Sequence, residues 1–369
     1  MALAQSKGTS AEFSSTGDTR RFSLRHLRFD SPSLRHIVVS AIGLMVVLWL
    51  SYRLADWAVI RAVWSSSDGS ACRAASAGAC WAVIHTRWRI IFFGLYPFDE
   101  QWRSAIACLL LVSTGILSCV SFFHTVRRIV AVWSVGFSGF IALMGGGVFA
   151  LVPVPVNSWG GLSLTLFIFA SVSIMGMPLA IGLALMRRSR LPLIAKTTAA
   201  IVDAVRSVPL LALLFCAGVV VPFGLPDALV GEKLYRVIAA FALYFGCYQA
   251  EIIRSGLQAV PSGQEEAAKA LGLSYAHSVG YILLPQAFKA ALPPTVNQFV
   301  ITFLETSLVV VIGFFDVLAS GNAAFGNGTW GIAKIEVYVF VAAIFFVFTF
   351  SLSRYGAYLE RKDVSHVSK

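Results

Sequence analysis

Five ionisable residues interrupt apolar stretches of this chain at spacings that suit charge pairing. Asp203 and Arg206 are three positions apart, as are Glu251 and Arg254, and Glu305 stands alone. Residues three apart on a helix share a face, so each pair can neutralise its own charges. Charges within a bilayer are expensive and usually face a protein interior or a cavity. Because both pairs lie at the edges of apolar stretches, we interpret them as structural ion pairs near the cytosolic interface.

Glu305 lies well inside an apolar stretch, and polar residues accompany it on the same predicted helix. These are Asn297, Gln298, Thr302, Thr306 and Ser307. Such side chains can line a pathway for a zwitterionic solute, or they can hydrogen-bond across a subunit interface. The residues leave both alternatives open.

The segment 265–287 is polar and broken, although apolar stretches flank it on both sides. Ser262 and Glu265 have the spacing of a capping box, which predicts a helix start. Gly272 is placed to end that helix in a left-handed turn. Ser274 offers a second N-cap, and Pro285 bends or stops the second helix and can begin a third. The pattern predicts short helices at sharp angles rather than a spanning helix.

The first of these short helices combines a smooth face with charges. Its small and apolar residues are Ala267, Ala268, Ala270 and Leu271, and its charged residues are Glu265, Glu266 and Lys269. Small residues permit close approach to a partner protein, and charges fix its orientation. Composition alone is equally typical of an ordinary amphipathic loop in the cytosol.

The apolar stretches that position these residues are long enough to be membrane spans. The chain is 57% hydrophobic and 13% charged, whereas soluble domains carry about 25% charged residues. Its apolar blocks reach about 20 residues, the length of a helix that crosses a ~30 Å hydrocarbon core. We therefore predict an all-α polytopic membrane protein with about eight transmembrane helices. They fall at about 37–59, 104–123, 129–152, 162–186, 205–222, 235–253, 295–316 and 335–354.

Basic residues orient these spans. The net charge is +11, and clusters of Arg and Lys flank the apolar blocks as the positive-inside bias requires. Both termini and the loop 254–293 are therefore predicted to be cytosolic, with the chain in a bacterial inner membrane. The same distribution argues against nucleic-acid binding. Five arginines of the first outside loop oppose the bias, namely Arg61, Arg73, Arg87, Arg89 and Arg103.

The first outside loop, about 60–103, also holds two cysteines. Cys72 and Cys80 flank the sequence RAASAGA. On the oxidising side of a bacterial membrane they can form a disulfide that closes a short loop. Two free thiols are the alternative, and the spacing does not decide between them.

The sequence lacks the residue sets that catalysis requires. It has no G-x-x-x-x-G-K-[ST] loop, so the chain is not expected to bind ATP in that way. It has neither H-E-x-x-H nor a paired C-x-x-C, and its six histidines are scattered, so we expect no metal site. No nucleophile–base set is evident, which makes an enzyme the least favoured class.

One spacing in the polar segment matches a known pattern at every position. Glu266-Ala267-Ala268 is followed by three residues and Gly272, then by nine residues and Ile282, one residue, and Leu284-Pro285. This resembles the E-A-A-x3-G-x9-I-x-L-P loop of ABC importer membrane subunits with the MetI-like, type I fold. The resemblance implies that this loop couples the chain to an ATPase. The residues it assigns to coupling are Glu265, Glu266, Ala267, Ala268, Leu271, Gly272, Ile282, Leu284 and Pro285.

Further stretches resemble polar amino-acid permeases. They include GGLSLTLFIF at 160–169, VRSVPLLALLF at 205–215 and ETSLVVVIGFFDVL at 305–318. The resemblance implies a five-helix MetI-like core at 159–360. Residues 37–158, with GACWAVIHTRWRIIFFGLYPFDEQWR, resemble the larger membrane subunit of general L-amino-acid importers of Gram-negative bacteria. They form an N-terminal extension of three spans, which follows a basic cytosolic tail at 1–36.

The resemblance implies a permease subunit that moves L-amino acids into the cytoplasm. Its expected partners are a homologous second permease, an ABC ATPase dimer and a periplasmic amino-acid-binding protein, besides membrane lipid. No cofactor is expected in this chain, since ATP and Mg would be bound by the ATPase. An opine or peptide-like solute is the alternative cargo. A secondary transporter that needs no ATPase is a further alternative that the coupling spacing disfavours.

Overall fold

The computed structural model describes residues 34–123, 125–148, 150–326 and 328–367. They form helices, with two isolated β-bridges, Val63 to Cys80 and Gly161 to Asp316. Residues 1–33, which make up most of the predicted basic tail, lie outside the described residues. The chain divides into two compact units, residues 1–56 and 57–369.

The described part of the first unit is a single helix. Helix α1 (Leu34–Ala55) continues into a π-helical turn at Asp56–Ile60. None of its side chains is buried, and its composition is apolar enough for a membrane span. It therefore has the character of a lipid-facing helix.

The second unit begins with three helices of the predicted extension. These are α2 (Ala82–Phe93), α3 (Gln101–Ser118) and α4 (Val126–Gly145). The last of them ends earlier than the predicted span 129–152, because Gly146 takes a positive φ of 66° that a helix cannot continue.

The remaining helices form the predicted core. They are α5 (Gly161–Arg187), α6 (Pro192–Ser207), α7 (Leu210–Phe215), α8 (Asp227–Val230), α9 (Lys233–Ala259), α10 (Ser262–Ala270), α11 (Tyr275–His277), α12 (Leu284–Ala290), α13 (Leu292–Glu305), α14 (Val317–Phe325) and α15 (Lys334–Val367). Seven helical stretches of the described residues are long and apolar enough to cross a membrane, and the bent pair α6–α7 makes eight if it counts as one. The predicted number of spans is thus confirmed within that range.

The helix predicted for the span at about 205–222 is interrupted. Helix α6 stops at Ser207, and the stretch Leu210–Gly224 leaves it at an angle of 99°. Pro209 has no amide hydrogen and disfavours helical backbone in the residue before it. Val208 is accordingly extended, with φ −93° and ψ 135°.

An arginine of α9 donates hydrogen bonds to the short stretch that follows this break. Arg236 donates from Nε to the carbonyl of Ala217 at 3.1 Å and from Nη2 to that of Gly218 at 3.3 Å. Its Nη1 donates to the carbonyls of Val230 and Gly231 at 2.7 Å. One side chain thereby satisfies carbonyl groups at two irregular places in the chain.

Helices α5 and α9 form the tightest crossing of the core. A Cβ at Gly176 would lie 2.4 Å from the ring of Phe245, and one at Gly246 would lie 3.0 Å from Leu179. Only glycine allows these backbones to approach so closely, as small residues do in many membrane bundles. The crossing fixes α9, whose end leads into the segment 254–293, against α5.

A disulfide closes the first outside loop. Cys72 and Cys80 are bonded, with their Cα atoms 5.5 Å apart. Of the two alternatives, a disulfide and two free thiols, the structure therefore has the disulfide. The amide of Cys80 donates to the carboxylate of Glu336 at 2.8 Å, and Arg73 donates to the carbonyl of Gly328 at 3.1 Å. The bridge therefore holds this loop against the connection between α14 and α15.

Removal of this disulfide is expected to destabilise the second unit. For a loop of eight-residue separation, chain entropy predicts a loss of about 2.5 kcal/mol in the free energy of unfolding. We expect the Cys72→Ser/Cys80→Ser variant to unfold at a lower temperature than the wild type in detergent. Reductant should lower the thermal midpoint of the wild type and leave that of the variant unchanged. If the two proteins have equal thermal midpoints without reductant, the disulfide does not stabilise the fold as expected.

Arg103, one of the five arginines of the outside loop, is held by protein partners. Arg103 is fully buried and donates from Nε to the carbonyl of Leu143 at 2.8 Å and from Nη1 to that of Val152 at 2.9 Å. Its Nη1 also lies 3.3 Å from the carboxylate of Glu100. These bonds join the beginning of α3 to the end of α4, so this arginine serves packing rather than topology.

Candidate functional site

The short helix α10 has the predicted end but not the predicted beginning. Gly272 has a φ of 72°, and its amide donates to the carbonyl of Lys269 at 2.9 Å. The amide of Leu273 donates to the carbonyl of Ala268 at 3.1 Å. This pair of bonds is a Schellman motif, which the glycine makes possible.

The predicted capping box at Ser262 and Glu265 is wrong. Pro261 takes the N-cap position and no side chain caps the helix. The carboxylate of Glu265 instead binds the guanidinium of Arg188 and accepts a hydrogen bond from Lys269 at 2.8 Å. Two full positive charges attract the carboxylate more strongly than the dipole of a single amide does.

The two sides of α10 have different surroundings. Ala268 is 1% exposed, and Glu265, three positions earlier, is partly covered. Glu266, Ala267 and Leu271 are exposed. The helix therefore packs through one face and leaves the other open to a partner.

Two exposed tyrosines lie in the same loop, beyond the residues that the sequence predicted, and Tyr275 lines a groove with Glu265 and Arg188. Leu271 and Tyr281 are each 78% exposed, and Tyr275 is 65% exposed. Large exposed apolar groups in one place are typical of protein interaction sites. We call the exposed set Glu266, Ala267, Leu271, Gly272, Tyr275 and Tyr281 the candidate coupling surface. The tyrosines could have been found from their place in a segment too short and polar to be a span.

The second arm of the segment is held against the membrane helices. Ser274 caps α11 as predicted, its hydroxyl accepting from the amide of His277. A π-helical stretch, Ser278–Leu283, then leads into α12, where Pro285 occupies the first turn. Ile282 and Leu284 are half-buried against an apolar cluster that includes α5 and α9 residues. These two side chains therefore anchor the loop that carries the candidate coupling surface against α5 and α9.

The charges near the cytosolic ends of α5, α6 and α9 form a network rather than two separate pairs. Glu251 lies 2.9 Å from Arg254, as predicted, and also 2.7 Å from Arg187 and 3.8 Å from Arg206. Asp203 does not pair with Arg206, because its carboxylate binds Arg187 at 3.1 Å. The predicted pair at 203 and 206 is thus wrong, since the tertiary partner on α5 competes for the carboxylate.

Electrostatics keeps Glu265 charged on the cytosolic side. The hydrogen bond from Lys269 holds the pKa of Glu265 below its usual range, and the charges of Arg188, Lys269 and Arg190 act in the same direction. Its carboxylate is therefore ionised throughout the physiological pH range. The ion cluster persists whenever the protein is folded at neutral pH.

The polar residues of α13 and its extension do not share one environment. Gln298, Thr302 and Thr306 are buried, Asn297 is exposed, and Glu305 and Ser307 are half-buried. The hydroxyls of Thr306 and Ser307 donate to backbone carbonyls one turn earlier, at 2.7 and 2.8 Å. The threonine and serine are therefore satisfied locally.

Glu305 is the exception in this stretch. Its Oε2 is buried and has no hydrogen-bond partner among the described residues. It interacts electrostatically with Tyr244, whose ring lies 4.8 Å from that of Tyr248. The guanidinium of Arg206 lies 5.0 Å from the Tyr248 ring. Glu305 is thus an unsatisfied carboxylate near Tyr244, and Tyr248 and Arg206 are the polar neighbours of that tyrosine.

A polytopic helical bundle with an exposed, glycine-stopped helix in a polar loop defines a membrane transport subunit. Residues 176–362 match the family model described as "Binding-protein-dependent transport system inner membrane component". The chain therefore belongs to this family. It is a non-catalytic, multi-pass inner-membrane permease of an ABC transporter, in which a partner ATPase hydrolyses ATP, and the predicted family and fold class are confirmed.

Known proteins are similar over most of the chain. An inner membrane amino-acid ABC transporter permease protein, YhdY of Escherichia coli, is 40% identical over 87% of this chain and 88% of its own length. The glutamate/glutamine/aspartate/asparagine transport system permease protein BztC of Rhodobacter capsulatus is 32% identical over 88% and 89%. A solved amino acid ABC transporter "with histidines" is 32% identical over 55% of this chain and 92% of its own, with a TM-score of 0.48.

Proposed function

We propose that this chain is the larger permease subunit of an ATP-driven importer of L-amino acids. The candidate coupling surface carries the proposal, since Gly272 ends a short helix that exposes Glu266, Ala267 and Leu271 outside the bundle. The proposed cargo is supported by the amino-acid transport named for YhdY and BztC. An opine or peptide-like solute fits the same machinery and is the second candidate.

The proposed assembly has four kinds of component. A homologous second permease pairs with this chain to enclose the pathway, and a periplasmic binding protein delivers the amino acid. Two ATPase subunits dock on the candidate coupling surface and on its counterpart in the second permease. ATP binding then biases an equilibrium between outward-facing and inward-facing states.

Within the chain, residues 159–360 form the proposed transport core and residues 37–158 an extension. Support comes from relatives that match a smaller share of this chain. The glutamate/aspartate import permease GltK of Escherichia coli O157:H7 is covered over 96% of its length by only 58% of this chain. A relative of that size has no counterpart for much of the extension.

Reconstitution tests this function directly. The chain is co-purified from its native membrane, the accompanying proteins are identified, and the complex is placed in liposomes with ATP inside. We expect an ATPase, a second permease and ATP-dependent uptake of labelled L-amino acids. Uptake that persists when the ATPase is removed would instead identify a secondary transporter, and competition only by opines or peptides would assign the second candidate.

The Glu305 carboxylate is proposed to meet the cargo in the pathway. Its Oε2 has no hydrogen-bond partner among the described residues, so a substrate ammonium group can pair with it. We expect Glu305→Gln to lower uptake of basic relative to acidic amino acids by about fivefold, because one attractive charge is lost. Competitive uptake in proteoliposomes measures this ratio.

The exposed carboxylate of Glu232 provides a matched control, because it lies outside this polar stretch. Glu232→Gln is expected to leave the ratio at the wild-type value. If Glu305→Gln also leaves it unchanged for acidic, neutral and basic amino acids, Glu305 belongs to the packing of the bundle and not to the pathway.

A further inference from the structure

An ion cluster joins α10 to the cytosolic end of α5. The Glu265 carboxylate binds the guanidinium of Arg188, the C-cap residue of α5. It also accepts from the ammonium of Lys269 at 2.8 Å and lies 4.0 Å from the guanidinium of Arg190. Since Glu265 and Arg188 are 77 positions apart, the contact links two separate elements of the fold.

Two further contacts of α10 lie within its own loop. The amide of Gln286 donates to the side-chain oxygen of Gln264 at 3.4 Å, and α10 packs against the π-helical stretch Ser278–Leu283. Both contacts connect parts of the segment 254–293. The bond between Glu265 and Arg188 leaves that segment and reaches a spanning helix.

The geometry separates Glu265 from the open face of α10. Glu265 and the buried Ala268 are three positions apart and share the inner face, whereas Glu266 and Leu271 are exposed. A partner protein seated on the outer face therefore reaches Glu266 before it reaches Glu265. Glu265 is placed to hold the helix rather than to bind the partner.

We propose that the ion pair of Glu265 and Arg188 transmits movement of α10 to α5, which makes both of them positioning residues for coupling. This rests on the proposed function. Three cations surround one carboxylate in this cluster, so reversal of the Glu265 charge replaces attraction by repulsion from every side. The helix would then separate from the end of α5 while its outer face remains intact.

Charge exchange tests the link in the reconstituted complex. The measured quantity is the number of amino-acid molecules imported per ATP hydrolysed. We expect Glu265→Arg and Arg188→Glu each to lower this ratio at least fivefold. The double exchange should exceed both single variants without reaching the wild-type value, because Lys269 and Arg190 still face position 265. Single variants at the wild-type ratio, or a double variant no better than the single ones, would overturn the proposal.

Two further variants distinguish positioning from general surface effects. Lys196→Glu reverses an exposed charge on α6 and is expected to keep the wild-type ratio; a loss like that of Arg188→Glu would count against the link. Glu265→Gln keeps the side-chain volume and removes the charge. The difference between this variant and the wild type in amino acids imported per ATP should shrink as salt rises toward about 0.5 M, because salt screens the ion pair of the wild type. A difference that is independent of salt would also overturn the proposal.

The outcome for the wild type separates this inference from the proposed function. If the wild-type complex shows no ATP-dependent uptake, the proposed function itself fails. If it imports amino acids and the exchanged variants behave as the wild type, only the link between α10 and α5 is refuted.

Discussion

Gly272→Val is expected to uncouple ATP hydrolysis from transport. Gly272 has a φ of 72°, where a non-glycine residue costs roughly 1–2 kcal/mol and a β-branched one is a clear outlier. The valine side chain meets no atom, since nothing lies within 4 Å of a Cβ built there. The cost is therefore conformational, and the chain can avoid it only by giving up the Schellman motif that ends α10.

Loss of this turn changes the direction in which the chain leaves α10, and with it the relative placement of Leu271 and Tyr275. We expect amino acids imported per ATP to fall about tenfold, the change that ~1.4 kcal/mol produces. Purified complex in proteoliposomes provides both quantities. The thermal midpoint should change little, because the residue is exposed.

Two variants isolate the backbone effect. Gly272→Asn should retain most of the coupling, because asparagine tolerates the left-handed conformation. Gly263→Val adds the same side chain to α10, where nothing lies within 4 Å and φ is not positive, and should leave coupling intact. Wild-type uptake per ATP in Gly272→Val would show that the helix end does not matter.

Arg103→Met is expected to cause the largest loss of stability. Arg103 is fully buried, and in the variant the carbonyl of Val152 would lose its donor while that of Leu143 would keep only the long bond of 3.4 Å from the Tyr96 hydroxyl. Unpaired buried acceptors cost about 1–3 kcal/mol each, so we expect a loss of about 3 kcal/mol. Because the unfolding entropy grows with chain length, 1 kcal/mol corresponds to roughly 1–2 °C for a chain of 369 residues, and the midpoint should fall by roughly 3–6 °C.

Thermal unfolding in detergent measures this change, and Arg127→Met is the matched control. Arg127 is exposed at the beginning of α4, so its removal is expected to shift the midpoint by about 1 °C or less. Equal shifts for the two variants would mean that the carbonyls of Leu143 and Val152 find other donors.

Local signals made part of this structure predictable. Gly272 and Ser274 could be placed at a helix end and a helix start because their effects depend on neighbours within four residues. The spans could be located because lipid requires long apolar helices. The family could be recognised because the spacing from Glu266 to Pro285 is contiguous in the sequence.

Contacts between distant residues were beyond such reasoning. The sequence places Glu265 in a helix cap because its partner Arg188 is 77 positions away. It pairs Asp203 with the nearby Arg206, whereas the structure pairs it with Arg187. The sequence makes Arg103 an exception to the topology rule because its acceptors, Leu143 and Val152, are 40 and 49 positions away. Pro209 is a local signal for a helix break, but the apolar residues around it favour the prediction of an uninterrupted span.

The break at Pro209 also affects how the chain enters the membrane during synthesis. Leu210–Gly224 has about 15 residues and extends about 22 Å as a helix, which is less than the ~30 Å core. Its carbonyls at Ala217 and Gly218 are bonded by Arg236, which the ribosome adds later. During synthesis this segment therefore acquires its final hydrogen bonds only after α9 has been made and packed against it.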